Sequence, residues 1–121
     1  MEHLSPEQLR ELKELLLRRR AEVLKRLESF LSDPTLKASG EIGDEVDSAD
    51  LEMARLTKIR LRERETVYLK KVEYALRKME EGTYGICENC GRPIAYERLK
   101  ARPVAVYCIE CKTKLEAEGE E

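Results

Sequence analysis

The chain is poor in aromatic residues and contains no tryptophan. Aromatic side chains make up 5% of its 121 residues, whereas charged side chains make up 40%. This composition excludes a large compact core and favours solvated helices rich in glutamate, lysine, arginine and leucine. No apolar run approaches the length of a membrane span, so the sequence predicts no contact with a membrane.

The residue groups that would indicate an enzyme are also missing. The sequence contains no recognisable pairing of a nucleophile with a base, no glycine-rich phosphate loop and no open metal site. The one histidine, His3, stands near an N-terminus that we expect to be frayed, and we assign it no role. The first residues lack the apolar run of a secretory signal. The sequence therefore predicts a cytoplasmic protein that is not an enzyme.

Four cysteines form the strongest pattern in the chain. Cys87 and Cys90 are separated by two residues, as are Cys108 and Cys111, and seventeen residues lie between the pairs. This spacing is typical of a structural zinc site. Disulfides fit poorly in a cytoplasmic chain, and a redox motif of the thioredoxin type would need a βαβ context. Four thiolates fill a tetrahedral Zn²⁺ site and leave no position for water, so one structural zinc ion is predicted.

The N-terminal third of the chain reads as one long helix. Ser5 can cap it, Pro6 suits the first helical position and Gln8 can close a capping box. A narrow apolar seam follows at helical spacing: Leu9, Leu12, Leu16, Val23, Leu27 and Phe30. Two arginines, Arg19 and Arg26, fall where the seam would take apolar residues, and their charged heads are expected to reach water.

A second long helix follows a loop that contains Pro34, Gly40 and Gly43. Its predicted apolar stripe consists of Ala49, Met53, Leu56, Ile59, Leu61, Tyr68, Val72, Ala75, Leu76 and Met79. Two long seamed helices with a short connection favour an antiparallel coiled-coil hairpin. The predicted fold class is mainly α: this long antiparallel two-helix hairpin, a small four-cysteine zinc-finger module and a short C-terminal helix.

The predicted domains divide the chain after residue 81. Residues 1–81 form the hairpin, with helices over about 6–31 and 46–81 and a tip loop over about 32–45. Residues 82–121 form the zinc finger, with short β-type runs at 93–96 and 104–107, a C-terminal helix and an acidic tail. Gly82 is expected to end the second helix. The hairpin is expected to present its loop end far from the zinc.

Charge is distributed unevenly along the second helix. Residues 41–54 hold six acids and no base, whereas residues 55–78 hold nine arginines or lysines and three acids. Asp44 and Asp47 are three residues apart and can project together from a helix. Acids in a first helical turn also offset the helix dipole, which is the ordinary explanation. Dense charge at the end of a hairpin contributes little to folding and suits an insertion tip.

Four segments together resemble the DksA/TraR zinc-finger family of bacterial transcription factors, over about residues 4–115. They are Asp44-x-x-Asp47-x-Ala49, Tyr84-Gly-Ile-Cys-Glu-Asn-Cys-Gly, Arg98-Leu-x-Ala-Arg-Pro and Tyr107-Cys-Ile-Glu-Cys-Lys. The resemblance implies a factor that binds RNA polymerase without reading a promoter sequence. In the family, the coiled coil enters the secondary channel of the polymerase and the tip acts near its catalytic centre.

The resemblance also assigns residues to roles. Asp44, Asp47 and Ala49 match the family's tip motif, and Arg64 matches a coil residue that is linked to polymerase contact. A second set matches basic positions of a shared site for the alarmone ppGpp: Lys71, Arg102 and Lys112. The resemblance thus implies regulation of initiation by the tip carboxylates, together with ppGpp. We expect the hairpin to be a monomer.

Two other function classes stay open at this point. The basic stretch of the second helix could belong to a zinc-dependent module that binds nucleic acid, although a solvated helix face with neighbouring glutamates is the more common explanation of such a stretch. The seams could instead pair between chains in a coiled-coil assembly protein. Salt-dependent binding to bare DNA and the mass in solution would distinguish these two classes from the polymerase-binding factor.

Overall fold

The computed structural model describes residues 1–37 and 45–117, with side chains described for residues 1–36 and 49–117. The helices in these residues are α1 (Pro6–Leu31), α2 (Pro34–Lys37), α3 (Glu45–Glu81), α4 (Tyr96–Ala101) and α5 (Ile109–Ala117). The described residues form no β-strand, and one isolated antiparallel bridge joins Ile86 to Pro93. Within these ranges, no helix combines the length and the apolar character needed to cross a membrane.

Short-range side-chain and backbone contacts fix the ends of the long helices. The amide of Gln8 donates to Ser5 Oγ and the amide of Ser5 donates to Gln8 Oε1, both at 3.0 Å, so the predicted capping box is confirmed. At the other end of α3, the amide of Thr83 donates to the carbonyl of Lys78 at 3.0 Å. This closure needs a left-handed residue, which Gly82 supplies with φ +81°. Gly82 therefore ends the second helix, as predicted.

Contacts divide the chain into two compact units, and both long helices run through the boundary between them. Unit 1 comprises Met1–Arg19 with Lys71–Glu121, and unit 2 comprises Arg20–Lys70. The boundary proposed from the sequence, after residue 81, stays a prediction. The predicted tip loop also contains a short helix, α2, which the sequence reading missed.

Ion pairs in unit 2 show that its two helical segments run antiparallel. Arg26 binds Glu65 through Nε–Oε1 and Nη2–Oε2 hydrogen bonds of 2.9 and 3.0 Å, and Lys58 Nζ lies 2.6 Å from Asp33 Oδ2. Asp33 lies seven residues after Arg26, whereas its partner Lys58 lies seven residues before Glu65. The two segments therefore run in opposite directions. The Arg26 side chain is 49% exposed, so its head reaches water as predicted. Its guanidinium is also held by a carboxylate of the facing helix, which the sequence did not indicate.

Apolar burial along the hairpin is uneven. On α1, the predicted seam residues Leu12, Leu16, Val23 and Phe30 are buried. On α3, Val72 and Ala75 are buried, but Met53, Leu56 and Leu61 are 67%, 39% and 45% exposed. The predicted apolar stripe is therefore wrong for these three residues and for Ala49, which is also exposed.

The core of unit 1 includes residues from the chain's N-terminus and from the cysteine-containing module. Its buried side chains include Leu4, Tyr84, Ile94, Leu99 and Val104. Tyr84 is 2% exposed, and its hydroxyl donates to the carbonyl of Pro103 at 2.7 Å. Buried polar groups need such partners.

Two expectations for unit 1 were wrong. His3 is not in a frayed end, because its Nε2 lies 2.8 Å from the carbonyl oxygen of Ile94 and the adjacent Leu4 is buried. The β-type runs at 93–96 and 104–107 are not strands: α4 begins at Tyr96, and residues 104–107 form turn and irregular backbone. The mainly α-helical fold class, with an antiparallel hairpin, a four-cysteine module and a short C-terminal helix, is confirmed.

Candidate metal centre and neighbouring sites

The four cysteines meet in one cluster of unit 1. The Sγ atoms of Cys87, Cys90, Cys108 and Cys111 all lie within 4.8 Å of one another. Cys87 and Cys111 are buried, Cys108 is half-buried and Cys90 is exposed. Two pairs that are far apart in the sequence are thus brought together by the turns on which the cysteines stand.

Backbone hydrogen bonds shape the loop of the first pair. The amide of Cys87 donates to the carbonyl of Arg92 at 2.8 Å, and the amide of Gly91 donates back to the carbonyl of Cys87 at 3.0 Å. Gly91 has φ +76°, a conformation that L side chains rarely adopt. The second pair stands at the start of α5, where the amide of Lys112 donates to the carbonyl of Cys108 at 2.9 Å. Each turn therefore directs its own two thiols toward the cluster.

The sulfur geometry fits a tetrahedral zinc ion. Four sulfurs at about 2.3 Å from Zn²⁺ would lie about 3.8 Å from one another, and Cys90 Sγ and Cys108 Sγ are 3.7 Å apart. A disulfide would require about 2.05 Å, so these two thiols are not bonded to each other. Four cysteine ligands close the coordination sphere. These four residues would hold one structural zinc ion, which would cross-link the two turns.

The thiols differ in their acidity because their surroundings differ. Burial raises the pKa of Cys87, but the backbone N–H groups of Cys90, Cys108 and Asn89 outweigh it and lower this pKa to about 6. The Asn89 side chain lowers the pKa of Cys111, but hydrogen bonds with the neighbouring thiols, together with burial, raise it to about 12. Because the pKa of Cys111 is raised, zinc binding would have to release the proton of this thiol.

A side-chain network ties the first cysteine turn to α3. Glu88, next to Cys87, accepts hydrogen bonds from the hydroxyl of Tyr74 at 2.5 Å and from Lys78 Nζ at 2.6 Å. Burial raises the pKa of Glu88, but the hydrogen bonds from Lys78 and Tyr74 lower it overall. Lys78 Nζ also lies 5.4 Å from the centre of the Tyr74 ring. Tyr74 and Lys78 are four residues apart on α3, a spacing that places them on one face of the helix. Sequence reasoning missed the network because no spacing rule places Glu88 beside them.

The residues predicted at the tip are only partly described. Asp44 lies outside the described residues. The backbone of Asp47 belongs to α3, but its side chain also lies outside the described residues. Ala49 is exposed on α3. Arg64 is exposed farther along the same helix, in unit 2.

The three residues predicted for ppGpp line one cavity of unit 1. Lys71, Arg102 and Lys112 surround a volume of about 300 Å³, and Lys112 Nζ also lies 3.7 Å from Glu116. The sequence reading did not give three other lining residues a role: Tyr74, Arg98 and Tyr107. Arg98 Nε donates to the carbonyl of Tyr107 at 2.9 Å. Arg98 begins the segment Arg98-Leu-x-Ala-Arg-Pro, which resembles the family, and this resemblance is the signal that could have identified it.

Comparison with known proteins adds a family to this geometry. Residues 82–117 match the family model described as the prokaryotic dksA/traR C4-type zinc finger. The RNA polymerase-binding transcription factor DksA of Caulobacter vibrioides is 35% identical over 109 residues, which are 90% of this chain and 76% of that protein. The factor of the same name from Escherichia coli is 45% identical over 73 residues, which are 60% of this chain. That match covers 48% of the Escherichia coli factor, so the chain spans about half its length.

A solved structure is similar over nearly the whole chain. The transcription factor DksA2 of Pseudomonas aeruginosa is 36% identical, with a TM-score of 0.81 over 97% of this chain and 89% of that one. A regulator from Chlamydia trachomatis shares the fold with a TM-score of 0.57 at 22% identity. The similarity therefore includes the long helices as well as the cysteine module.

Proposed function

Because this chain belongs to the DksA/TraR zinc-finger family, we propose that it is a transcription regulator that binds RNA polymerase through the secondary channel. The observation that carries the proposal is the similarity to the Caulobacter vibrioides factor over 90% of the chain, which includes the hairpin and not only the finger. The relatives are named transcription factors, which supports a regulatory and not an enzymatic role. In this proposal the protein acts in the cytoplasm as a monomer.

The antiparallel pairing in unit 2 supports an insertion mechanism. α3 contains 37 residues, which at about 1.5 Å per residue correspond to a length of about 56 Å. The Arg26–Glu65 and Lys58–Asp33 pairs fix the register of the two segments. A hairpin whose register is fixed can carry side chains into a channel without sliding of one helix along the other.

The tip acts through its carboxylates in this proposal. Asp44 and Asp47 approach the catalytic centre of the polymerase, where carboxylate oxygens suit Mg²⁺ and basic side chains. Asp47→Asn removes a charge and keeps the side-chain volume. We expect this variant to bind polymerase and to lose its effect on initiation, and Glu63→Gln, on an exposed part of the same helix, to retain the effect.

Two measurements test the tip assignment. Co-purification measures polymerase binding, and in vitro transcription measures the effect on initiation for the wild type and both variants. Full regulatory activity of Asp47→Asn would contradict the assignment of the tip. Failure of the wild type to bind polymerase would contradict the proposed function as a whole.

The cavity around Lys71, Arg102 and Lys112 is the proposed site for ppGpp, shared with the polymerase. The guanidinium of Arg102 can pair with phosphate oxygens in a bidentate manner, and the lysines add point charges. The Arg98–Tyr107 hydrogen bond holds one wall of the cavity in place. Arg102→Ala should abolish the ppGpp response of the polymerase complex, whereas Lys114→Ala, exposed on α5, should leave it unchanged. An undiminished response in Arg102→Ala would refute this site.

A zinc-dependent nucleic-acid-binding module is the competing function, favoured by the basic residues 55–78. Direct DNA binding would fall steeply with salt, because several counterions are released from the phosphates. The proposed function requires little affinity for DNA without polymerase. Tight binding to bare DNA with a steep salt dependence, and no binding to polymerase, would therefore favour the competitor.

A further inference from the structure

A second groove of unit 1 has an exposed apolar lining. It encloses about 430 Å³ beside α4 and the start of α5. Four of its apolar residues are exposed: Pro93, Ala95, Ala101 and Ile109. Ile109 is 60% exposed and directly follows the zinc ligand Cys108. The position of Ile109 next to the cysteine cluster thus keeps its side chain outside the core.

Three arginines line the same groove, against one acid. Arg92 and Glu110 approach to 3.4 Å, but their side chains are 71% and 78% exposed, so this ion pair is weak and easily exchanged. Arg98 Nε is fixed by the carbonyl of Tyr107. Arg102 is the third arginine, and it also lines the cavity around Lys71, as does Arg98. The groove therefore combines apolar surface with an excess of positive charge, part of which is held in place.

We propose that this groove docks an acidic polypeptide segment of RNA polymerase that carries one or two large aliphatic side chains. The proposal rests on the proposed function for the identity of the partner. Aliphatic side chains cover the apolar lining around Ile109, and carboxylates pair with the guanidinium groups. The groove has no aromatic residue in its described lining, so it offers no stacking surface for bases. This favours a peptide over a single-stranded nucleic acid.

Two variants separate this groove from the tip and from the cavity around Lys71. Ile109→Asp places a carboxylate in the apolar lining, and Arg92→Glu reverses one charge; neither residue lines that cavity. The matched control is Lys114→Glu, the same charge reversal at an exposed position of α5 outside the groove. Zinc content and helical circular dichroism verify that every variant is folded.

The first measurement uses the protein without polymerase. A fluorescently labelled peptide with two central leucines flanked by aspartates and glutamates is titrated by anisotropy. A peptide with serines in place of the leucines and a single-stranded oligonucleotide serve as competing probes. We expect Ile109→Asp and Arg92→Glu to weaken binding of the leucine peptide at least fivefold and Lys114→Glu to weaken it less than twofold. Equal binding of the serine peptide, tighter binding of the oligonucleotide, or no effect of the groove variants would overturn the proposal.

The second measurement uses polymerase and identifies the source of the peptide. A photo-crosslinking amino acid at Pro93 should capture an acidic segment of the polymerase, identified by mass spectrometry. Polymerase binding by the groove variants should weaken at least fivefold, in contrast to Asp47→Asn. If the wild type binds polymerase but no acidic segment is captured and the groove variants bind normally, the docking proposal fails and the proposed function stands. If the wild type does not bind polymerase, the proposed function is wrong. The assignment of the docked segment to polymerase is then wrong as well.

Discussion

The Arg26–Glu65 pair predicts a specific pattern of stability changes in unit 2. Glu65 has a side chain only 16% exposed, and Arg26 is 49% exposed and forms two charge-assisted hydrogen bonds with it. Replacement of Arg26 by leucine would leave a largely covered carboxylate without its cation. Replacement of both residues by leucine would instead add apolar surface between α1 and α3.

The magnitude follows from the burial of the two partners. Loss of one partner of a buried polar pair costs about 1–3 kcal/mol, whereas exposed ion pairs contribute about 0–1 kcal/mol. Because water reaches Arg26, we expect Arg26→Leu to lower the free energy of unfolding by about 1.5 kcal/mol. The double variant should be at least as stable as the wild type, since apolar replacements of such pairs are often neutral or stabilising.

Urea denaturation followed by helical circular dichroism measures these changes. Arg20→Leu, at an exposed position of the same helix, is the matched control and should change the stability by less than about 0.5 kcal/mol. The reasoning is refuted if Arg26→Leu is as stable as the control, or if the double variant is no more stable than Arg26→Leu.

Three further predictions concern zinc, pH and a buried hydroxyl. Removal of zinc by a chelator should unfold the cysteine module and change the near-ultraviolet circular dichroism of the buried Tyr84, and added zinc should restore it; an unchanged spectrum would argue against a structural role. The hydrogen bond from Lys58, with a backbone bond from Thr35, lowers the pKa of Asp33. The stability difference between wild type and Asp33→Asn should therefore persist above about pH 4, the unfolded value, and vanish as the pH falls through the lower folded value. A stability difference between these two proteins that grows as the pH falls would contradict this prediction. Tyr84→Phe should cost about 1–2 kcal/mol, because it leaves the Pro103 carbonyl without its donor. Burial also raises the pKa of Tyr84, so absorbance should show that this tyrosine stays protonated at about pH 11, where an exposed tyrosine ionises.

Local patterns explain what the sequence could predict. The Ser5–Gln8 box involves residues three positions apart, and each cysteine pair is set by one turn, so neighbours in the chain decide these structures. The zinc cluster joins two such pairs, and tetrahedral coordination by four thiolates supplies the missing long-range information. The fold class and the metal centre were therefore accessible before any coordinates.

Contacts between distant residues explain what the sequence could not predict. His3 and Ile94 are 91 residues apart, and the hydroxyl of Tyr96 donates to Glu11 across 85 residues. No rule of sequence spacing predicts either contact. The acceptor of the His3 contact is a backbone carbonyl, which every residue has, so the residue type at position 94 gives no indication of it. Arg26 shows the same limit within the coil: the helical period placed it in the seam, but only the register of α3 reveals that Glu65 faces it. A seam position occupied by a charge is thus informative in itself, because such a residue favours the register that supplies the opposite charge.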